Sequence, residues 1–162
     1  MTEGAPRGAL ADALTLLGRR DFTEGALRER LLKRGHDETG IDEAVVRCIE
    51  YGYIDDRAWG KRRAEELFRR RPMGRAGFLD DLRRHGIPST MAEEVADDAY
   101  AEYGGERAVL ADALQRWVDR SGPPAEWRSI RQCSGHLQRR GFASGDVHAA
   151  LSPWLDALST RG

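Results

Sequence analysis

Two adjacent carboxylates, Asp55 and Asp56, come closest to a catalytic or metal-binding pair in this 162-residue chain. Side by side they could share a proton or hold a divalent cation. The same pair also suits a helix start, where a carboxylate accepts backbone N–H bonds and meets the positive end of the dipole. No third ligand or neighbouring histidine stands near them, which favours the second reading. His36, His85, His136 and His148 show no H-E-x-x-H or paired spacing. Cys133-Ser134-Gly135-His136 lacks the glycine frame of a nucleophile elbow. No P-loop and no G-x-G-x-x-G fingerprint opens a helix. The residues therefore predict neither an enzyme nor a bound cofactor or metal.

The chemistry the chain does carry is that of guanidinium. It has 24 arginines and two lysines, Lys33 and Lys61. Arginine offers a planar fork suited to phosphate and carboxylate, although arginine-biased codon usage produces the same composition. The formal net charge is -1, so any attraction to a polyanion must be local. Arg57, Lys61, Arg62, Arg63, Arg69, Arg70, Arg71 and Arg75 form a basic run against only Glu65 and Glu66. On a helix, Arg62 and Arg69 point away from a face made by Gly60, Ala64, Leu67 and Phe68, while Trp59, Arg63 and Arg70 flank it. Such a stripe suits phosphates or an acidic groove; the plain alternative is a solvated helix face. An acidic stretch follows, with Glu93, Glu94, Asp97, Asp98, Glu102 and Glu106 before the next basic residue, Arg107. It either pairs with the arginine-rich helices of the same chain, the reading favoured here, or faces away from the partner and leaves the molecule polarised.

The elements that must position these charges repeat three times. Leu31-Leu32-Lys33-Arg34-Gly35, Leu82-Arg83-Arg84-His85-Gly86 and Leu137-Gln138-Arg139-Arg140-Gly141 share one frame. Eight residues before each Gly stands an apolar or sulfur side chain, Leu27, Phe78 or Cys133; with the Leu at minus four it makes a helical stripe. Twelve before it stands a small residue able to start a helix: Thr23, Gly74 or Ser129. After the Gly, Val45 with Ile49, Ala96 with Tyr100, and Leu151 with Leu155 mark a further helix. Thr39, Ser89 with Thr90, and Ser144 are its N-cap candidates, and Thr90 with Glu93 reads as a capping box. Ala13, Leu16 and Leu17, then Ala64, Leu67 and Phe68, then Leu114, Trp117 and Val118 mark a leading helix in each unit. Each glycine, Gly35, Gly86 and Gly141, ends the middle helix with positive φ, and the basic residues before it complement the dipole. Pro72, Pro88 and Pro123-Pro124 fall at boundaries. No strand pattern competes.

The fold expected is all-α: three tandem three-helix repeats, helix-turn-helix-like, elongated and curved, over residues 1–54, 55–104 and 105–162. Trp59, Trp117, Trp127 and Trp154 fit helical core positions better than a base-stacking platform. Cys48 and Cys133 form no disulfide framework, although one bridge between them stays open. Met1 to Gly8 has no signal-peptide pattern and no apolar run spans a bilayer, so a cytoplasmic, membrane-free monomer is expected.

The strings Leu27-(x)3-Leu31-(x)3-Gly35, Ile49-Glu50-Tyr51-Gly52-Tyr53-Ile54-Asp55-Asp56 and Leu82-Arg83-Arg84-His85-Gly86-Ile87 resemble the RecX family of recombinase regulators. Gly52-Tyr53-Ile54-Asp55-Asp56 is the most specific piece. Trp59-Gly60 stands where the family usually has Phe-Ala, and Met73-Gly74 where it usually has Lys-Gly. The resemblance implies a regulator of the RecA recombinase that lies in the groove of the RecA–single-stranded DNA filament and hinders ATP turnover, strand exchange and coprotease activity, with SOS response and DNA repair as its setting. Single- or double-stranded DNA is a further candidate partner. The basic run, together with Arg83, Arg84, Arg139 and Arg140, is the expected contact surface for filament or phosphate. A direct helix-turn-helix-like DNA-binding protein is the alternative, although the third helices, Asp42 to Glu50 and Met91 to Glu102, are neutral or acidic.

Overall fold

The computed structural model describes residues 8–161. Residues 1–7, part of the stretch read for a signal peptide, and residue 162 lie outside the described residues. Among the described residues are nine helices and no strand: α1 (Ala9–Leu17), α2 (Glu24–Lys33), α3 (Glu38–Glu50), α4 (Asp56–Arg70), α5 (Arg75–Arg84), α6 (Ser89–Glu102), α7 (Glu106–Ser121), α8 (Trp127–Arg139) and α9 (Ser144–Ser159). They pack as triplets: α1, α2 and α3 on one another, α4 and α5 on α6, and α7, α8 and α9 on one another. No helix among them is long and apolar enough to cross a membrane.

The repeat frame dictates the ends of the middle helices. Thr23 caps α2, its hydroxyl accepting from the Ala26 N–H, and Gly74 stands at the N-cap of α5. After α2, α5 and α8 the chain turns at Gly35, Gly86 and Gly141, with φ of 90°, 86° and 88°. Four expectations shift by one to three residues. Asp37, Pro88 and Ala143 hold the N-cap positions of the third helices, so Thr39, Ser89, Thr90 and Ser144 lie inside the first turn. The Thr90–Glu93 capping box does not form, because Pro88 already sets the helical φ and Glu93 turns to Arg75 and Arg83. Helix α8 begins before Ser129, in a box between Glu126 and Ser129. Ile49, expected inside, is exposed; Ala44, Val45 and Cys48 fill the inward face of α3.

Apolar burial falls into two bodies. Ala13, Leu16, Phe22, Leu27, Leu31, Val45, Cys48 and Ile54 belong to one, within the first triplet. Phe68, Phe78, Leu82, Tyr100, Leu110, Trp117, Leu137 and Leu151 belong to the other, which runs unbroken through the second and third. The accessible surface is 10195 Å², against about 8,100 Å² for a compact monomer of this mass, so the molecule is elongated.

The triplets meet through a repeated junction. The carbonyl end of each later middle helix abuts the amide end of the preceding one. Thr23 Oγ1 donates to the His85 carbonyl, and the Gly74 N–H donates to the Arg140 carbonyl at 2.9 Å. An acid at the first position of the next leading helix completes each joint. Asp56 accepts from the Glu24 N–H at 2.8 Å, and Glu106 accepts from the Arg75 N–H at 2.8 Å. Backbone meets backbone here. A Cβ on Gly25 would stand 2.6 Å from the Gly86 carbonyl oxygen, and one on Gly74 would stand 2.3 Å from the Gly141 carbonyl.

Gly74 has φ -76°, a conformation alanine tolerates, so Gly74→Ala tests packing alone. It should cost about 2–3 kcal/mol, or roughly 5–10 °C in melting temperature. Gly145→Ala, in the first turn of α9 with open space around it, should melt at or slightly above the parent temperature. Equal melting of the two variants by circular dichroism would refute the close-packed junction.

Candidate functional site

The family motif is a corner of the fold. Gly52 follows α3 with φ 75°, and the Tyr53 N–H returns to the Cys48 carbonyl at 2.8 Å. Ile54 is buried in the first apolar body. Tyr51 and Tyr53 are exposed, their rings 5.9 Å apart. Asp55 caps α4, its carboxylate accepting from the Ala58 N–H at 3.0 Å. Asp56 is buried in the junction, where desolvation raises its pKa. The two carboxylates thus serve different helices, α4 and α2. No cluster of three or more His, Cys, Asp or Glu suited to a metal occurs among the described residues.

Three residues of the basic run, Arg57, Lys61 and Arg75, are held by the acidic stretch. Arg57 pairs with Glu94, and Lys61 reaches Glu102 at 3.8 Å. Arg75 holds Glu93 at 2.6 Å and Asp97 at 2.7 Å. Arg83 lies 3.4 Å from Asp80 and 3.8 Å from Glu93, and Arg84 donates to the Asp80 carbonyl at 3.3 Å. Arg62 bridges to the first triplet through Asp21 at 3.0 Å. The polarised arrangement, with the basic run and the acidic stretch on separate faces, is therefore overturned for Arg57, Lys61 and Arg75. Arg63 does not flank an open groove either. It grips Asp81 with both prongs, at 2.8 and 2.9 Å, and Trp59 stacks on His85 at 4.8 Å. An arginine half-buried beside α5 satisfies its donors there.

Several arginines are left without a carboxylate, and one group of them lies close together. Of the expected contact residues, Arg69, Arg71, Arg84, Arg139 and Arg140 make no ion pair among the described residues, and Arg71, Arg139 and Arg140 fall near a further unpaired arginine, Arg120. A pocket of about 260 Å³ opens between the end of α4, the face of α7 and the last turn of α8. Arg70, Arg116, Arg120, His136 and Arg140 line it over the buried Trp117. Burial, then the charges of Arg71 and Arg120, lower the Arg140 pKa. Burial, then Arg140, Arg120, Arg139 and Arg71, hold His136 below the ordinary imidazole value. Among the described residues, the only acids paired to lining residues are Glu66, 3.7 Å from Arg70, and Asp112, 3.0 Å from Arg116. Arg120 and Arg140 have no such partner, so the pocket carries an excess of positive charge. Sequence reasoning named Arg70, Arg71, Arg139 and Arg140 but missed Arg116 and Arg120. Their i, i+4 spacing on either side of Trp117 was the available signal.

The other reactive side chains are inert here. Cys48 and Cys133 are free and lie in different apolar bodies. Burial pushes the Cys133 thiol up to about 11. Trp117 is core, as its helical position implied, whereas Trp127 is exposed.

Arg63 and Asp81 are 24% and 9% exposed. Asp81→Ala would strand that guanidinium, costing on the order of 2–3 kcal/mol, below the cost of breaking a fully buried pair. Asp80→Ala, on the exposed side of the same helix, should change stability by less than about 0.5 kcal/mol. Urea unfolding of the two variants checks the difference; similar midpoints would contradict the anchoring role.

Comparison with known proteins meets this architecture. Residues 9–48 match the family described as RecX, first three-helix domain. The chain is 38% identical over 145 residues to the regulatory protein RecX of Syntrophotalea carbinolica, covering 86% of this chain and 92% of that one. It is 34% identical to the regulatory protein RecX of Chlorobaculum tepidum, covering 99% and 97%. The crystal structure of RecX from Lactobacillus salivarius superposes with a TM-score of 0.73 at 16% identity, covering 90% of this chain and 94% of that one. A second crystal structure, of a regulatory protein RecX, gives 0.70 at 19% identity, covering 91% and 70%. These two establish likeness of fold. With that fold and the near full-length identity to curated relatives, the chain belongs to the RecX family of regulatory proteins.

Proposed function

We propose that the chain regulates a RecA recombinase by binding the RecA–single-stranded DNA filament as a monomer and restraining its ATP turnover, strand exchange and coprotease activity. The observation that carries this reading is the near full-length match to proteins named regulatory protein RecX. The structure supports it in shape and charge. An elongated body suits contact along a polymer. Exposed arginines, Arg62, Arg69, Arg83, Arg84 and Arg139, stud its second and third triplets, and a partner can compete for those held in solvent-exposed pairs, which bind weakly. Direct binding of naked DNA is the second reading, and the arginine pocket between α4, α7 and α8, where Arg120 and Arg140 make no ion pair among the described residues, favours it.

Purified protein should lower RecA ATP hydrolysis on single-stranded DNA at substoichiometric ratios and slow strand exchange in parallel. Unchanged rates at excess protein would refute the proposal. Arg62→Glu with Arg69→Glu should weaken filament binding about tenfold, since two contacts worth some 0.7 kcal/mol each are reversed. Binding left intact would remove these two from the contact surface. Titrating salt against DNA affinity with and without RecA separates the two readings, because binding through phosphate alone keeps the same salt slope when RecA is absent.

A further inference from the structure

No acid among the described residues pairs with Arg120 or Arg140 in the arginine pocket. Its basic side chains come from three elements: Arg70 at the end of α4, Arg116 and Arg120 on α7, and His136 with Arg140 at the end of α8. Most arginines of the second triplet found carboxylates within 4 Å; here Arg120 and Arg140 find none among the described residues. Arg140 donates only to the Pro72 carbonyl, at 3.5 Å. Arg140 is partly buried and Arg120 exposed beside it; their mutual repulsion costs free energy, and an anion between them would remove that cost.

The class of anion follows from number and spacing. A single carboxylate brings one charge and would leave most of the cations uncompensated. Arg116 and Arg120 are one helical turn apart, so their side chains present two forks a few ångströms apart. Two neighbouring phosphates of one strand offer matching charges in a row, each with two oxygens for a fork. Trp117 is buried beneath, so no base stacks on it, and contact is with the backbone alone. Asp112 and Glu66 sit beside Arg116 and Arg70 in exposed i, i+4 pairs that a phosphate can displace.

We propose that the pocket between α4, α7 and α8 is a binding site for the phosphodiester backbone of a nucleic-acid strand, held by Arg70, Arg116, Arg120 and Arg140. It rests on the second reading above and gives it residues. The site is blind to sequence, because phosphate contacts position a strand without identifying bases. It lies where the third triplet joins the second, since the Arg140 carbonyl is also the junction acceptor for Gly74. Strand binding and the setting of that joint therefore share one residue.

The experiment uses the full chain and a fluorescent thymidine 20-mer, with anisotropy measured over a range of salt. Arg120→Gln with Arg140→Gln should weaken binding at least tenfold and reduce the log–log salt slope by about 1.4, since each single-strand phosphate contact contributes roughly 0.7. Arg116→Gln with Arg120→Gln leaves α8 intact and should give a similar loss, which guards against a disturbed junction in the first variant. Arg19→Gln with Arg47→Gln removes the same charge from the first triplet and should leave the slope unchanged. In the unsubstituted protein, the oligonucleotide should raise the pKa of His136, read from its imidazole proton resonances, by neutralising Arg71 from the end of α4, Arg120 from α7 and Arg139 and Arg140 on its own helix. Unchanged affinity and slope in both pocket variants would overturn the proposal. So would a His136 response to polyglutamate but not to the oligonucleotide, which would make the site a dock for acidic protein. RecA ATPase inhibition measured on the same variants keeps the questions apart. Variants that lose the oligonucleotide but still inhibit RecA confirm the site without the filament role running through it, and pocket-dependent DNA binding by a protein without effect on RecA confirms it while the filament reading fails.

Discussion

The structure depends on helix ends meeting. At each joint the negative end of one middle helix lies against the positive end of the preceding one, and the two backbones touch with no side chain between them. Orphan amides of α2 and α5 are satisfied from the next triplet, by Asp56 and Glu106, and the terminal carbonyls of His85 and Arg140 by Thr23 and Gly74. Each triplet thus completes the hydrogen bonding of the one before it. A triplet of about fifty residues buries a marginal core alone, so this mutual capping makes the array a single object.

Where a middle-helix terminus meets no other triplet among the described residues, the local structure differs. Helix α8 starts earlier and caps itself through Glu126 and Ser129. At the other end Gly35 holds the same φ as Gly86 and Gly141 but has open space around it. The joints differ in kind as well. The second and third triplets share one apolar body, while the first keeps its own and is fastened by polar and backbone contacts, including Arg62 to Asp21. Motion along a polymer would be absorbed more easily at the first joint, where no continuous apolar core must be broken.

Charge is distributed by the same packing. The chain holds nearly equal numbers of basic and acidic residues, 26 and 27, so the informative arginines are those its own carboxylates do not reach. In the second triplet, α6 lays Glu93, Glu94, Asp97 and Glu102 beside α4 and α5 and takes up Arg57, Lys61, Arg75 and Arg83. Against α7 and α8 no such helix stands, and Arg71, Arg120, Arg139 and Arg140 are left to one another.

Much of this was legible beforehand. The i, i+4 apolar stripes, the three turn glycines and the proline breaks depend on neighbours within a few residues, so sequence alone placed the helices and their threefold recurrence. It also placed Asp55 as a cap and identified the family, whose Gly52-Tyr53-Ile54-Asp55-Asp56 corner is a local structure. It did not place Thr39, Thr90 or Ser144 correctly, because a competing start one or two positions earlier decides a helix start by small differences. The rest is non-local. Asp56 looks like Asp55's twin until it is seen to bind a helix 32 residues upstream. Arg57 and Arg120 look equally free until α6 comes to lie beside one and no acid comes to lie beside the other. Helix formation reads the chain at a range of four residues, whereas ion pairing reads distance in space, and only the packed triplets decide which charges are spent within the molecule and which are left for a partner.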